Sequence, residues 1–383
     1  MDDLMMLVEW LFWGAVFFVS YAYAGYLLAL WALSLARNRP VMSGAVYPRV
    51  SFIITAFNEE SRIREKIENS LQQVYPQERL EIVIASDCSN DKTDEIVLSY
   101  AERGVRLIRA SERKGKEAAQ KLAVAQTSGE VLVFSDVATA LSPDGIATIV
   151  RPFHDPTVGC VSSVDRFLDA DGKLSGEGAY VRYEMALRNL ESRVNSLVGL
   201  SGSFFAARRE VCSPWAEDLQ SDFNTLLNSV KCGLRGVSDS ASIGYYKSIS
   251  DEKREYQRKV RTILRGIAVL MRSLPLLNPF KHGLFAWQLF SHKLCRWLVP
   301  FALIMAFAAN GILAIHSDVY RALLGCQILL YAGTLIYVWL EKFPLRRILK
   351  LPAFFVLVNL SILDAWIRYF KGERIFRWDP SKR

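Results

Sequence analysis

The chain has 383 residues, with 47 basic and 39 acidic side chains, a net charge of +8 and a hydrophobic fraction of 51%. That apolar fraction excludes a disordered chain, and the length suits two to three ordinary domains. Six cysteines with no C-x-x-C pair, beside four histidines, argue against a disulfide scaffold and a structural zinc site. Mean hydropathy is +0.15 despite the basic charge, so apolar and charged residues must occupy different stretches.

The first apolar stretch is Val8–Leu35, whose only charge is Glu9. It is long enough to cross a bilayer and too long and aromatic for a cleaved signal, which predicts a retained anchor over 1–36. Asp2 and Asp3 precede it, and Arg37 and Arg39 follow. The positive-inside bias then places the next domain in the cytoplasm.

Residues 37–273 read as a soluble α/β domain. Val50–Thr55, Leu80–Ala85, Val105–Ile108 and Val131–Phe134 are short runs rich in β-branched residues. Helical stretches at Glu59–Gln72, Asp91–Glu102 and Gly115–Gln126 separate them. Such alternation predicts a parallel sheet with right-handed crossovers, and a ligand beyond the C-terminal strand ends. Further helices are expected over Tyr180–Leu197 and Phe223–Lys231.

Residues 274–297 mix Trp287 and Trp297 with Lys281, Lys293 and Arg296, as an amphipathic interface segment would. Leu298–Ile315 and Leu323–Leu340, joined by His316-Ser317-Asp318, predict a transmembrane hairpin over 298–340. The remainder, 341–383, opens with a basic loop (Lys342, Arg346, Arg347) and closes with a basic tail from Lys371. Between them Leu351–Phe370 contains Asn359, Asp364 and Arg368. This run reads as a re-entrant or interfacial helix with a cytoplasmic tail; a full crossing is the alternative.

Each strand end of the soluble domain carries a polar cluster. The first has Ala56, Asn58 and Glu59; the second runs from Ser86-Asp87 to Thr93; the third holds Lys114-Gly115-Lys116; the fourth ends in Ser135-Asp136. Singly these are caps or solvated surface, but together on one edge they suggest a site for a nucleoside diphosphate. Asp87 can accept from a base or ribose donor. Gly115 and Lys116 open a helix and offer N–H groups and a cation to phosphate. Asp136 can help to hold Mg²⁺ or Mn²⁺, since such ions take one or two carboxylates plus phosphate oxygens. Neither a Walker loop nor a dinucleotide-binding glycine loop occurs.

These motifs, in this order, resemble the membrane-bound family 2 glycosyltransferases. Ile54-Thr55-Ala56-Phe57-Asn58-Glu59 resembles their V-P-A-Y-N-E opening, and Asp87-Cys88-Ser89-Asn90-Asp91-Lys92-Thr93 their D-G-S-x-D-x-T. Gly115-Lys116 matches their G-K, and Phe134-Ser135-Asp136 leads into their D-x-D metal motif. Gly202 to Arg209 resembles the acceptor-side G-x-x-x-A-x-R-R, and Ser221-Asp222 stands where the catalytic base is expected. Arg258-Lys259-Val260-Arg261 falls near the Q-x-x-R-W position. There are two departures: Ala138 replaces the second acid of D-x-D, and Thr262 replaces the Trp.

The resemblance implies a GT-A nucleotide-diphospho-sugar transferase fold and inverting transfer from a nucleotide sugar, with UDP-sugars the leading donors. It implies Asp222 as base, Asp136 as metal ligand and Arg258 and Arg261 beside the diphosphate. Ala56, Asn58, Glu59, Asp87, Lys116 and Asp136 would line the donor, and Gly202 and Ser203 the acceptor. Trp215 admits two readings, stacking on an acceptor sugar or packing in the core. The expected acceptor is a lipid-linked or growing saccharide hydroxyl, in exopolysaccharide or envelope glycan assembly at a bacterial inner membrane. Other polysaccharide-assembly proteins are possible partners. Alternatives are transfer to polyprenyl phosphate, processive synthesis and a catalytically inactive nucleotide sensor. The basic excess is assigned to membrane lipid and diphosphate, with no nucleic-acid partner.

Overall fold

A computed structural model of the chain describes residues 2–168, 179–247, 252–340 and 346–375. Helices α1 (Asp2–Ser20) and α2 (Tyr26–Ala36) are joined through a π-helical turn. There follow β1 (Val50–Ala56), α3 (Ile63–Leu71), β2 (Leu80–Ser86), α4 (Thr93–Leu98), β3 (Val105–Arg109), α5 (Lys116–Gln126) and β4 (Val131–Asp136). Then come β5 (Ala140–Leu141), α6 (Gly145–Val150), β6 (Val158–Leu168), α7 (Ala179–Val194), β7 (Phe204–Arg208), α8 (Ser221–Lys231) and β8 (Arg235–Lys247). The chain continues with α9 (Glu252–Arg272), α10 (Pro279–Leu289), α11 (Arg296–Leu313), α12 (Asp318–Trp339) and α13 (Arg346–Phe370).

Two compact units result: Met1–Ala29 with Asp251–Ile267 and Ala286–Arg374, and Leu30–Ser250 with Ala268–Phe285 and Ile375–Arg383. The second unit holds an eight-stranded sheet of order β3-β2-β1-β4-β7-β6-β8-β5. β1 to β4 form its parallel half, as expected, each extending one or two residues past its predicted end. At β7 the direction reverses, because β7 pairs antiparallel with both β4 and β6. Every residue of β1 is buried, since helices cover both sheet faces. One core layer gathers Phe52, Ile54, Ile63, Ile67 and Ile146; the other gathers Ile53, Phe134, Phe205 and Leu226.

α3 starts at Ile63 rather than Glu59. The carbonyl of Glu59 accepts from both Arg62 and Ile63, and its own N–H goes to Thr93 Oγ1 at 2.7 Å, so residues 59–62 form a turn. α4 is shorter than predicted at both ends: Asp91 Oδ1 accepts from Thr93 N at 2.9 Å in the turn before it, and Ala101–Arg103 form a separate 3-10 turn after it.

In the first unit α1 packs along α11, with Val8, Phe12 and Ala15 against Ala302, Ala306, Ala309 and Leu313. Small residues let such helices approach closely. Polar groups in the apolar helices find partners: Tyr320 donates to Glu9, Asn359 Nδ2 to Tyr23 Oη at 3.2 Å, and Arg368 pairs with Asp364 at 2.9 Å. Among the described residues, four helices are long and apolar enough to cross a membrane: Asp3–Ala36, Pro279–Leu313, Asp318–Trp339 and Ile348–Phe370. The segment read as an interface helix is helical from Pro279, kinks at Gly283 and runs through a π-helical turn into α11. Residues 341–345 of the basic loop, and tail residues Arg377, Lys382 and Arg383, lie outside the described residues.

One buried ion pair closes the second unit. Arg235, 5% exposed, donates to Asp155 Oδ2 at 2.9 Å and to the carbonyls of Arg39 and Pro40. Asp155 Oδ1 accepts from the Thr157 N–H and hydroxyl at 2.9 and 2.7 Å. Burial alone would raise the Asp155 carboxyl, but Thr157 and Arg235 outweigh it and hold the pKa down to about 2, against an ordinary 3.8. The pair's stabilisation is therefore present above about pH 4 and lost as pH falls toward about 2. Asp155→Ala, which strands Arg235, should destabilise by about 3 kcal/mol or more in denaturant unfolding of the purified chain. Asp155→Asn should lose less stability than the unsubstituted chain between those two pH values.

Candidate active site

The C-terminal ends of β1 and β2 lie side by side, with Ala56 opposite Ser86. Immediately after them, Asn58 (φ +51°) and Cys88 (φ +58°) adopt the left-handed conformation, which is uncommon for residues with a Cβ. Hydrogen bonds between the two loops hold them there. Asp87 N donates to the Ala56 carbonyl, Asn58 N to Ser89 Oγ at 3.2 Å, and Asn90 N to Asn58 Oδ1 at 2.9 Å. Phe57 is covered by the Arg113 guanidinium, 3.8 Å from its ring centroid.

Asp87 is fully buried, and its oxygens accept the N–H groups of Lys114 at 3.0 Å and Gly115 at 2.9 and 3.0 Å. Burial raises its pKa, against those N–H groups and Arg113. In this structure the bonds shown for the Asp87 carboxylate go to backbone, not to a base or ribose. Its carboxylate caps the start of α5, because orphan N–H groups at a helix N-terminus attract an anion. Gly115 makes that loop possible with φ +110°. The Gly115 N–H, expected to face phosphate, is thereby spent on Asp87. Glu59 also points inward: it is 2% exposed and accepts from Arg62 Nε at 2.8 Å. Burial raises its pKa, opposed by Arg62.

Capped in this way, α5 delivers Lys116. Its ammonium donates to Asp136 Oδ1 and, at 2.9 Å, to the Gly202 carbonyl. The Asp136 side chain keeps 25% exposure, and its N–H donates to the Ser203 carbonyl at 3.0 Å. Gly202 lies against Asp222: a Cβ on it would come within 2.8 Å of Asp222 Oδ2. Asp222 stands in the first turn of α8 and is 8% exposed, with Oδ1 accepting from Phe223 N at 2.8 Å and Oδ2 from Gln220 Nε2 at 3.2 Å. The structure thus brings Asp136, Lys116, Gly202, Ser203 and Asp222 together.

Trp215 stands apart from this group. Trp215 stacks on Phe134, with centroids 5.0 Å apart, and its Nε1 donates to the Glu117 carbonyl at 3.0 Å, so the packing reading holds. Arg258 and Arg261 stand on α9 in the other compact unit, where Arg258 pairs with Glu255 at 2.8 Å.

Two residues escaped sequence reasoning. Asp165, on β6, accepts from the hydroxyls of Ser201 at 2.6 Å and Ser203 at 2.9 Å, on either side of Gly202. No sequence signal marked it. Lys66, on α3, is 3% exposed, and burial lowers its pKa to about 7 against the opposing charge of Asp136. A signal existed: Lys66 stands in the buried stripe Ile63, Ile67, Ser70 of its own helix.

Among the described residues no three His, Cys, Asp or Glu side chains cluster as a ready metal site. The quarter-exposed Asp136, with Ala138 two residues on, fits an ion that takes one carboxylate and completes its shell with substrate phosphates.

Residues 51–214 match the family model "Glycosyl transferase family 2". A probable glycosyltransferase of Bacillus subtilis is 29% identical over 131 residues, 32% of this chain and 31% of that protein. The beta-monoglucosyldiacylglycerol synthase of Trichormus variabilis is 25% identical over 224 residues, 55% of this chain and 47% of that protein. The chain therefore spans less than half the length of both relatives. A mannosyltransferase from Pyrobaculum calidifontis, solved with GDP-Man and Mn²⁺, superposes with a TM-score of 0.71 at 23% identity over 95% of this chain and all of that one. The sheet order, the motifs at its strand ends and these matches agree: the chain carries a glycosyl transferase family 2 domain on the GT-A fold.

Proposed function

We propose that the chain transfers a sugar, with inversion, from a nucleotide-diphosphate donor, UDP-linked by preference, to a hydroxyl of a lipid-linked or growing saccharide. The setting is envelope or exopolysaccharide assembly at a bacterial inner membrane, with residues 37–273 as the cytoplasmic catalytic domain. One observation carries the reading: Lys116 joins Asp136 to the Gly202 loop, and that loop touches Asp222. A cation and a half-open carboxylate for the diphosphate thus stand one loop away from a carboxylate for the acceptor. Relatives named beta-monoglucosyldiacylglycerol synthase and hyaluronan synthase support a membrane setting.

In this reading Asp222 accepts the proton of the acceptor hydroxyl as its oxygen attacks the anomeric carbon. The C–O bond to the diphosphate breaks, and Lys116 meets the developing negative charge on the leaving group. Asp136 would hold a divalent ion, which, when bound, neutralises the diphosphate. Asp87 keeps Lys116 in place through Gly115, and Asp165 steadies the Gly202 loop through Ser201 and Ser203. Arg258 and Arg261 are assigned to the diphosphate by the motif alone. The segment Leu351–Phe370 is read as re-entrant or interfacial.

Asp222→Asn should lower kcat by about 10²–10⁴-fold with the donor KM little changed, measured as nucleoside diphosphate released from a panel of nucleotide sugars. Near-normal turnover would instead favour a phosphate acceptor, which needs no base. Gly202→Ala should lower kcat at least tenfold without lowering Tm by more than a few degrees, since its methyl group displaces the Asp222 carboxylate.

A further inference from the structure

α3 and the residues just after it turn three polar side chains toward the connection that follows β4. Lys66 Nζ donates to Ser135 Oγ at 2.8 Å and to the Thr139 carbonyl. Asn69 brackets Leu141, giving its amide to the carbonyl at 2.8 Å and accepting the N–H at 2.9 Å. Gln73 donates to the Ser142 carbonyl at 2.9 Å and accepts from Ile146 N at 3.0 Å. Lys66 and Asn69, three apart, share one face of α3, and Gln73 follows two residues past its end. Together they grip the chain from Ser135 to Ile146, and Asp136 is the second residue of the gripped segment.

Lys66 is the costly member of this set. Lysine is rarely fully buried, and an ammonium out of water needs compensation. Here it has two neutral oxygens, the face of Phe52 at 5.3 Å, and the charge of Asp136 acting through space. An amide such as Asn69 or Gln73 could bind a carbonyl without that cost. What the side chain adds, in its protonated form, is a positive charge beneath the turn that presents Asp136, where Ala138 takes away the second acid.

We propose that Lys66 is a positioning residue for the donor site: its buried ammonium fixes the Ser135–Thr139 turn and sets the local charge at Asp136, so that the nucleotide diphosphate and its metal bind there together. The inference rests on the reading that Asp136 faces the donor diphosphate. With Lys66 and Lys116 both near Asp136, a bare divalent cation is repelled, whereas a metal–nucleotide complex of net negative charge is attracted.

The test measures binding of Mn²⁺ with UDP, and of Mn²⁺ with GDP, to the purified full-length chain. Lys66→Met should weaken the bound complex at least tenfold and shift the Mn²⁺ concentration needed for half-saturation. Asn69→Ala, which loosens the same segment without removing charge, should lower Tm but leave that half-saturation within twofold. Equal effects from the two variants, or unchanged binding in Lys66→Met, would overturn the proposal. Should Lys66→Met fail to fold, Ser135→Ala removes one Lys66 acceptor; it should raise the half-saturating Mn²⁺ concentration at least threefold, and no change would be equally fatal. If the unsubstituted chain binds neither complex, the donor reading itself falls.

Discussion

The contact on which the site depends is the Lys116 ammonium between Asp136 and the Gly202 carbonyl. Asp136 ends the parallel half of the sheet, and Gly202 lies just before β7, where the strands reverse. Lys116 therefore ties the half that carries the donor motifs to the half that carries the acceptor motif. It is held from behind by Asp87, which fixes Gly115, and it leads forward through Gly202 to Asp222. Charge-assisted bonds in a low-dielectric setting are strong, and they are costly to leave half-made. The arrangement behaves as a unit for that reason.

Much of the acidic content near the site serves architecture. Asp87 caps a helix, Glu59 holds Arg62, and Asp165 braces two serines around Gly202. Asn58 and Cys88 sit in the left-handed region because paired loops hold them there. In the proposed transfer, a site set up in this way would meet developing charge with groups already in place, so little reorganisation would be needed. Asp136 stays partly open, and Asp222 lies against Gly202.

The other unit follows the same economy of polar groups. An apolar helix tolerates Glu9, Asn359 or Asp364 when each has a partner within that unit, and Tyr320, Tyr23 and Arg368 supply those partners. Leu351–Phe370 carries its charges as one pair a helical turn apart, and this explains how so apolar a helix accommodates both signs.

The first four strands were legible because each is an apolar, β-branched run stopped by a polar cluster. β6 and β8 were not legible, because they are written in small polar residues such as Ser162, Ser163, Ser238 and Ser242. Those serines belong inside only once their partners are known: Ser163 Oγ donates to the Phe204 carbonyl at 2.6 Å, and Ser162 Oγ accepts from Ser201 N at 2.7 Å. The same divide runs through the site. Motif order and spacing in the sequence singled out Asp136, Lys116, Gly202 and Asp222, which the structure brings together, and segregated apolar helices from the strands of the sheet. Tertiary structure alone decided that the Asp87 carboxylate meets backbone N–H groups while Asp136 stays partly open, that Trp215 packs, and that Lys66 and Asp165 bond to the segments around Asp136 and Gly202. The physical reason is that a charged group's role is set by its nearest partner. Here those partners lie far off in the chain: Lys116 reaches Asp136 20 residues away and Gly202 86 residues away.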